Sequence, residues 1–251
     1  MKLQTYRSGM EVGVGDVNLQ GTRVVIIGGS SGLGLATARA ALAKGARVVV
    51  TGRSKERLTE AKSQLGDGLE TTAVDALDET AMQTFLEHED SIDHLFVTIG
   101  SYVADHHLEP PIDTLRGPID TRLIAALHAT KHARPKMSER GSITLMSGTA
   151  VARPIPGTSM SSASCGAIEG LMRGLAVDLA PIRVNALRAG FFDTPFLDEA
   201  LGNHRAAVVS DLEARLLVGR IGRPEEAAAA VIFMMETGYV TGSCLTIDGG
   251  G

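Results

Sequence analysis

Short runs of consecutive apolar residues alternate along the chain with longer segments in which apolar residues recur at helical spacing. Continuous apolar runs are typical of strands buried on both faces of a parallel sheet. The pattern predicts seven strands, at residues 23–27, 47–51, 69–74, 94–98, 142–146, 182–186 and 244–247. It predicts helices at residues 33–44, 55–64, 79–87, 118–136, 162–179 and 225–236. This alternation indicates a doubly wound α/β fold, with helices on both faces of a seven-stranded parallel sheet.

The length of 251 residues suits a single domain of this class. We assign residues 16–251 to that domain and residues 1–15 to a mobile N-terminal arm, because the arm contains three glycines and no long apolar run. Residues 191–220 are the longest stretch without a predicted element before the last helix. Long irregular segments in compact domains are often binding loops, so we expect a substrate loop or lid here.

Composition and charge exclude several classes of protein. A net charge of −5 argues against a nucleic-acid partner, since neutralising phosphates requires a surplus of Lys and Arg. Two cysteines, Cys165 and Cys244, exclude a disulfide framework and a cysteine-rich zinc site. No segment is long and apolar enough to predict a membrane partner. We therefore expect a cytoplasmic protein that binds no metal and acts on a small-molecule substrate.

A glycine-rich segment lies between the first predicted strand and the first predicted helix. Its candidate cofactor contacts are Gly28, Ser30, Ser31, Gly32, Leu33 and Gly34. Glycines permit a tight turn, and the helix N-terminus behind them offers free N–H groups to a pyrophosphate. The position of the segment in the first strand–helix unit predicts dinucleotide binding.

The second predicted strand ends at Thr51, and Arg53 and Ser54 follow it closely. An acidic residue at this point accepts hydrogen bonds from the ribose 2′-hydroxyl of NAD, whereas an arginine suits a 2′-phosphate. The alternative is a surface arginine at the start of a helix. The sequence favours NADP over NAD, with NADPH as the reduced form.

These motifs resemble those of the short-chain dehydrogenase/reductase family, whose members have a Rossmann-type fold. The glycine motif of that family is matched at Gly28, Gly32 and Gly34, and further matches extend along almost the whole chain. The resemblance implies adenine contacts near Asp75 and Ala76. It implies nicotinamide-side contacts along two further segments, which comprise Thr98, Ile99 and Gly100, and Gly190, Phe192 and Thr194.

The catalytic residues of the family are absent at the matching positions. A Tyr-x-x-x-Lys pair normally transfers the proton, but Ser161 and Cys165 stand at these two positions. The family serine falls at Gly148 or its neighbour Ser147, and the family asparagine falls near Arg122. A serine hydroxyl is shorter and far less acidic than a phenol, so Ser161 is a poor direct replacement.

Other side chains are candidates for the missing chemistry. Tyr102, His106 and His107 follow the fourth predicted strand, where they either border the crevice or are ordinary loop residues. Arg122 either stabilises an oxyanion, binds an acidic substrate, or pairs with Asp120 or Glu169. Cys165 is most simply a small apolar filler on a packed helix. His128 and His132 have the spacing of a metal pair but lack an evident third ligand, which favours an ordinary helix face.

The first functional hypothesis is an NADP(H)-dependent oxidoreductase that acts on a small carbonyl or alcohol with a non-standard proton donor. The alternatives are an NADP-binding sensor or partner subunit without turnover, and a lyase or isomerase on the same scaffold. The resemblance also implies a homodimer or homotetramer assembled through the helices at 118–136 and 162–179. Small residues there permit close packing: Ala125, Ala126, Ala129, Gly166, Ala167, Gly170 and Gly174.

Overall fold

The computed structural model describes residues 18–101 and 108–251. Parallel strands form one seven-stranded sheet: β1 Arg23–Ile27, β2 Arg47–Gly52, β3 Leu69–Ala73, β4 Ile92–Val97, β5 Met137–Gly148, β6 Arg183–Ala189 and β7 Cys244–Ile247. Their order across the sheet is β3-β2-β1-β4-β5-β6-β7. The predicted doubly wound α/β fold of the Rossmann type is confirmed. The predicted N-terminal arm at residues 1–15 lies outside the described residues.

Ten helices connect these strands within the described residues. Their bounds are α1 Gly32–Ala43, α2 Lys55–Leu65, α3 Glu79–Glu87, α4 Ile112–Leu115, α5 Gly117–Ile119, α6 Ala125–Ala133, α7 Ser159–Asp178, α8 Pro195–Leu201, α9 Arg205–Arg215 and α10 Pro224–Glu236. One core layer contains side chains of α1, α2 and α10, and a second layer contains side chains of α3, α6 and α7. None of the described helices has the length and apolar character needed to cross a membrane.

The inner strands of the sheet are buried on both faces, as their apolar runs predict, whereas the edge strands β3 and β7 are partly exposed. All five residues of β1 are buried, and β1 pairs in parallel with β2 on one side and with β4 on the other. The connections after β1 and β4 therefore diverge, which opens a crevice at the carboxyl ends of these strands. Ligands bind at such switch points in open α/β sheets.

The helix predicted at 118–136 is not continuous. It consists of α5, a π-helical turn at Asp120–Ile124, α6 and a short 3₁₀ turn at Arg134–Lys136. The wider turn brings Arg122 into this interrupted region, and such insertions in helices are frequent at functional sites. The strand predicted at 142–146 is also longer than expected, because β5 begins at Met137 and its pairing with β4 shifts register before His94.

The prediction of an irregular segment at 191–220 is wrong in part, since this segment contains α8 and α9. Leu197, Leu216 and Ile221 are buried together in a small separate cluster. Because α8 and α9 are short and rich in polar residues, the apolar pattern of a helix is weak in this region. Whether the segment acts as a lid remains a prediction.

The small residues predicted to form a dimer face divide into two groups. Ala125, Ala126 and Ala129 are buried in the core layer of their own chain, so they offer no surface to a partner. On α7, Gly170 and Gly174 are exposed, and Gly166 and Ala167 are half-buried. The predicted role of these three alanines in an interface on α6 is therefore wrong, because small residues also allow a helix to lie close to its own sheet.

Candidate active site

Residues 28–34 turn the chain from β1 into α1 in a space that excludes side chains. Gly28 has a φ of +94°, and a Cβ atom at Gly34 would lie 2.4 Å from the Gly28 carbonyl oxygen. The N–H groups of Gly28 and Gly29 donate to the Thr51 carbonyl at 3.1 and 3.0 Å. The tight turn predicted from the glycines is present, and β2 holds it in place.

The N-terminus of α1 faces this turn. Ser31 is the N-cap residue, but its side chain forms no capping hydrogen bond, and the first turn contains no acidic residue. The first N–H groups of a helix lack partners within the helix. With the positive end of the helix dipole, they form a site suited to a phosphate anion.

The end of β2 lies beside the glycine loop. A Cβ atom at Gly52 would lie 2.9 Å from the Ser30 Oγ atom, so Ser30 and the segment that contains Arg53 are neighbours. Arg53 is exposed, and its guanidinium has no hydrogen bond or ion pair within 18–101 and 108–251. The Ser54 Oγ atom is already engaged, because it accepts from the Arg57 N–H at 3.1 Å and donates to Glu56 at 2.8 Å.

The residues after β3 border the crevice farther from the loop. The Asp75 carboxylate accepts from the Leu77 N–H at 3.0 Å and is exposed. Ala76 is buried, and its carbonyl lies 3.0 Å from the Nδ1 atom of His128. Asp75 thus keeps one carboxylate oxygen available, whereas Ala76 offers only backbone.

The end of β4 packs directly on the glycine loop. If Gly34 carried a Cβ atom, that atom would lie 2.9 Å from the Thr98 Cγ2 atom. A Cβ atom on Gly28 would lie 3.0 Å from the Ile99 Cγ1 atom. The Thr98 N–H donates to the Ile27 carbonyl at 2.9 Å. The structure therefore brings together the first and fourth strand ends, as the predicted topology requires.

The segment after β6 closes the other side of the loop. A Cβ atom on Gly32 would lie 3.4 Å from the Thr194 side chain. Gly190 is packed against the backbone of Asp248. Phe192 is buried, and its ring lies against Gly222. Of these three predicted cofactor contacts, Thr194 faces the loop most directly, and the Phe192 ring belongs to the core.

The end of β5 faces α7, where the catalytic positions were predicted. The Ser147 hydroxyl donates to the Glu169 carboxylate at 3.0 Å. A Cβ atom on Gly148 would lie 3.2 Å from the Cys165 sulfur. Ser161 and Cys165 are both buried on α7. The structure thus places Gly148 next to the Cys165 sulfur, whereas the Ser147 hydroxyl lies 3.4 Å from the Cys165 carbonyl oxygen.

A buried charge network holds the Ser147 hydroxyl. Burial tends to raise the pKa of the Glu169 carboxyl, but hydrogen bonds from Arg188 and Ser147 outweigh burial and leave that pKa below its usual value. Arg188 contacts both carboxylate oxygens at 2.8 and 2.7 Å. Burial and the nearby Glu169 charge raise the pKa of the Cys244 thiol to about 11. Glu169 is therefore an ionised structural partner, and Cys244 stays protonated at neutral pH.

Arg122 lies between the β4 end and α7. Its Nη1 atom donates to the Ser164 Oγ atom at 2.7 Å, and a Cβ on Gly100 would lie 2.7 Å from its Nη2 atom. Ser164 is fully buried and donates in turn to the Ser161 carbonyl at 2.9 Å. Of the alternatives considered for Arg122, pairing with Asp120 or Glu169 is not observed, because Asp120 pairs with Arg116 and Glu169 pairs with Arg188.

The remaining candidates divide between described and undescribed residues. Tyr102, His106 and His107 lie outside the described residues. His132 lies 3.1 Å from a Glu79 oxygen that also accepts from Lys131 at 2.6 Å. These contacts make the histidines part of a polar helix–helix contact. Within the described ranges, no group of three or more His, Cys, Asp or Glu side chains is placed to hold a metal ion.

Comparisons with known proteins agree with this architecture. The family model described as "Enoyl-(Acyl carrier protein) reductase" matches residues 28–251. A curated short-chain dehydrogenase/reductase, malC of Malbranchea aurantiaca, is 31% identical over 92% of this chain and 95% of its own length. The chain belongs to the short-chain dehydrogenase/reductase family. Its match to the family covers both the glycine loop and the altered α7 region.

Solved structures of this family superpose closely on the chain. The structure described as the MalC reductase/Diels-Alderase of Malbranchea aurantiaca has a TM-score of 0.87 and 30% identity, covering 93% of this chain and 97% of that one. A short-chain dehydrogenase/reductase from Brucella melitensis, described as a glucose/ribitol dehydrogenase, has a TM-score of 0.87 and 26% identity, with coverage of 94% and 98%.

The crevice fits the nicotinamide dinucleotide that this family uses. The glycine loop leaves the space that a Cβ would fill, the α1 N-terminus offers N–H donors, and Arg53 has no partner among the described side chains. Sequence reasoning missed the Arg122–Ser164 hydrogen bond and the Glu169–Arg188 pair. Ser164 follows Ser161 by three residues, so helical spacing could have placed the two hydroxyls on neighbouring positions of one face.

Proposed function

We propose that this protein is an NADP(H)-dependent oxidoreductase that acts on a small carbonyl or alcohol without a tyrosine acid. The observation that carries this proposal is the contact of the glycine loop with the ends of both β4 and β6, through Thr98 and Thr194. In this proposal, the glycine loop binds the pyrophosphate, and the segments that contain Thr98 and Thr194 border the nicotinamide end of the dinucleotide. Retention of the nicotinamide end favours redox use of the ring.

The preference for NADP over NAD rests on the end of β2. Arg53 offers a planar cation that matches phosphate oxygens, and no acidic residue competes for a ribose hydroxyl there. Ser30 lies next to Gly52 and adds a hydroxyl donor. Ser54 contributes less in this proposal, since its hydroxyl caps α2.

A bound nicotinamide cofactor supplies or accepts the hydride, so the protein must manage the charge and the proton at the substrate oxygen. Arg122 stabilises negative charge that develops on this oxygen, since its guanidinium lies beside Gly100 and Ser164. Water, Ser161 or one of Tyr102, His106 and His107 supplies the proton. Cys165 has lost the positive charge of the family lysine, and Arg122 restores a cation nearby.

A second candidate is an NADP-binding sensor or partner subunit. The observation favouring it is that the Ser147 hydroxyl is held by Glu169 while Gly148, Ser161 and Cys165 provide no strong acid. A third candidate is lyase or isomerase chemistry, for which one structural relative described as a reductase/Diels-Alderase gives a precedent. The first candidate explains more of the retained contacts.

The test is a panel of small ketones, aldehydes and alcohols, with cofactor oxidation or reduction followed by absorbance. We expect turnover of at least one substrate that is faster with NADP(H) than with NAD(H). Arg122→Gln should lower this turnover without weakening cofactor binding. Tight NADPH binding with no turnover across the panel would support the sensor instead.

We further propose a cytoplasmic homodimer or homotetramer with no nucleic-acid or membrane partner. The exposed Gly170 and Gly174 support an interface on α7. Sedimentation should return a species larger than one chain. A monomer at all concentrations would remove this part of the proposal.

A further inference from the structure

Arg122 differs from the other enclosed arginines in the described part of the chain. Arg23 is paired with the carboxylates of Glu70 and Glu89. Arg188 is paired with Glu169, and Arg183 donates to the carbonyls of Met234, Met235 and Val240. Each of these guanidinium groups thus has anionic partners or several backbone acceptors.

Arg122 has neither among the described residues. Its one acceptor there is the neutral Ser164 hydroxyl, at 2.7 Å from Nη1. The Nε atom is buried and has no hydrogen-bond partner in the described ranges. A guanidinium has five N–H donors and no acceptor. The buried Nε–H donor is therefore unsatisfied, and because an unpaired buried donor is unfavourable, an acceptor on a bound ligand would stabilise it.

The residues placed near Arg122 are small. Gly100 packs against its Nη2 side, and a larger residue there would collide with it. On β5 and α7, Gly148, Ser161 and Cys165 are all smaller than the serine, tyrosine and lysine that the family resemblance predicts at these positions. Compared with the family pattern, this side of the cleft therefore has smaller side chains and an additional cation, Arg122.

We propose that the substrate carries a carboxylate one or two carbons from the reacting carbonyl, and that Arg122 binds this carboxylate. The substrate class is thus a 2-oxo or 3-oxo acid, or the corresponding hydroxy acid. Arginine binds carboxylates through two parallel N–H···O bonds, which fix orientation as well as position. The same guanidinium remains close to the neighbouring carbonyl oxygen. This inference rests on the proposed function, since it names the substrate of that site.

The first experiment compares short 2-oxo and 3-oxo acids with their methyl esters, using kcat/KM for each pair. The ester keeps the carbonyl and removes the charge. We expect the acid to be preferred by about a hundredfold, the size of two charge-assisted hydrogen bonds at their lower limit. Arg122→Gln should lower kcat/KM for the ester and lower it much more for the acid, so that the preference for the acid is lost, and Arg122→Lys should keep part of it.

Arg116→Gln is the matched control. Arg116 is exposed and pairs with Asp120 at the start of the same π-helical turn. The Arg116→Gln variant should leave the ratio of kcat/KM for acid and ester unchanged. Equal kcat/KM for acids and esters in the unmodified protein, or an equal loss for both in Arg122→Gln, would overturn the inference.

A second experiment separates this inference from the proposed function. Oxamate, an unreactive analogue of a 2-oxo acid, is titrated by calorimetry into protein saturated with NADP⁺. Binding that Arg122→Gln weakens at least tenfold supports the carboxylate site even if no carbonyl compound is reduced, in which case only the proposed function fails. Reduction of neutral ketones without Arg122-dependent oxamate binding overturns the inference and leaves the proposed function standing. Thermal melting of each variant verifies that it is folded.

Discussion

The two sides of the cleft are built from different materials. The cofactor side consists of backbone groups and glycines at the ends of β1, β2 and β4, together with the N-terminus of α1. A single Cβ atom on Gly34 would collide with the backbone of the glycine loop. The reaction side depends on side chains at the end of β5, on α7 and on the π-helical turn. Here Gly148, Ser161 and Cys165 stand at the positions where the family resemblance predicts larger polar residues.

The difference indicates why one side can change while the other stays. A phosphate cradle made of N–H groups is a property of the fold, so a substitution that spoils it also spoils the turn. A proton donor is one side chain on an already stable helix, so its replacement leaves the helix intact. Arg122 then contributes a positive charge on the reaction side, next to Ser164 on α7.

The largest expected effect comes from breaking the cofactor side. Gly34→Val places a branched side chain against the Gly28 carbonyl and Gly29 Cα, at 2.4 and 2.8 Å from the Cβ position. Because these contacts are backbone, the loop must distort. We expect NADPH binding to become undetectable by fluorescence titration.

Gly68→Val is the control for this variant. Gly68 lies in an exposed turn before β3, and the nearest atom to the position that a Cβ atom would take there is the Leu42 Cδ2 atom at 3.6 Å, an ordinary van der Waals contact. The change should leave NADPH binding unchanged. Normal NADPH affinity in Gly34→Val would show that the loop does not hold the cofactor.

Restoring the family residues tests the reaction side. We expect Gly148→Ser, Ser161→Tyr and Cys165→Lys together to raise simple ketone reduction by about 10²-fold or more, since general acid catalysis contributes typically 10²–10⁴-fold. Steady-state kinetics with NADPH measures the change. Tyrosine at the exposed neighbour, in Ala163→Tyr, should give no increase. An unmodified protein that already matches the restored variant must contain another efficient acid.

Reversing the charge at Arg53 tests the cofactor preference. Charge-assisted hydrogen bonds contribute about 1.5–3 kcal/mol, so Arg53→Asp should weaken NADPH binding about ten- to a hundredfold and reverse the preference towards NADH. Arg39→Asp removes another exposed arginine, on α1, and should change neither affinity. Equal binding of NADP(H) and NAD(H) to the unmodified protein contradicts this assignment.

A smaller effect is expected at the opposite end of the sheet from the cleft. Burial, and next the charge of Arg183, lower the pKa of His94 to about 4. Because the folded pKa lies below the unfolded value near 6.5, this group's contribution to stability is full above pH 6.5 and is lost as the pH falls towards 4. The unfolding free energy should fall by roughly 1 kcal/mol per pH unit in this window.

Denaturant unfolding between pH 4 and 7 measures this dependence. His94→Gln should flatten it, whereas His204→Gln, at an exposed position, should leave it unchanged. An identical slope in His94→Gln would assign the pH dependence to other groups. The cofactor affinity should follow stability only where the protein begins to unfold.

Sequence reasoning predicted those parts of the molecule that depend on local pattern. The buried runs at β1 and β2 and the glycine turn were predictable because each imposes its own periodicity or steric requirement. The π-helical turn and the Arg122–Ser164 contact were not, since they depend on how two distant helices meet. Helices α8 and α9 were missed because short, exposed helices have a weak apolar pattern.

The central claim is that the chain keeps hydride chemistry without the tyrosine and lysine of its family. The most direct measurement uses NADPH with deuterium at the transferable position, incubated with the unmodified protein and a panel of neutral ketones, aldehydes, 2-oxo acids and 3-oxo acids. We predict that mass spectrometry finds one deuterium on the former carbonyl carbon of an alcohol or hydroxy-acid product. Tight NADPH binding with no deuterium in any product would contradict the claim.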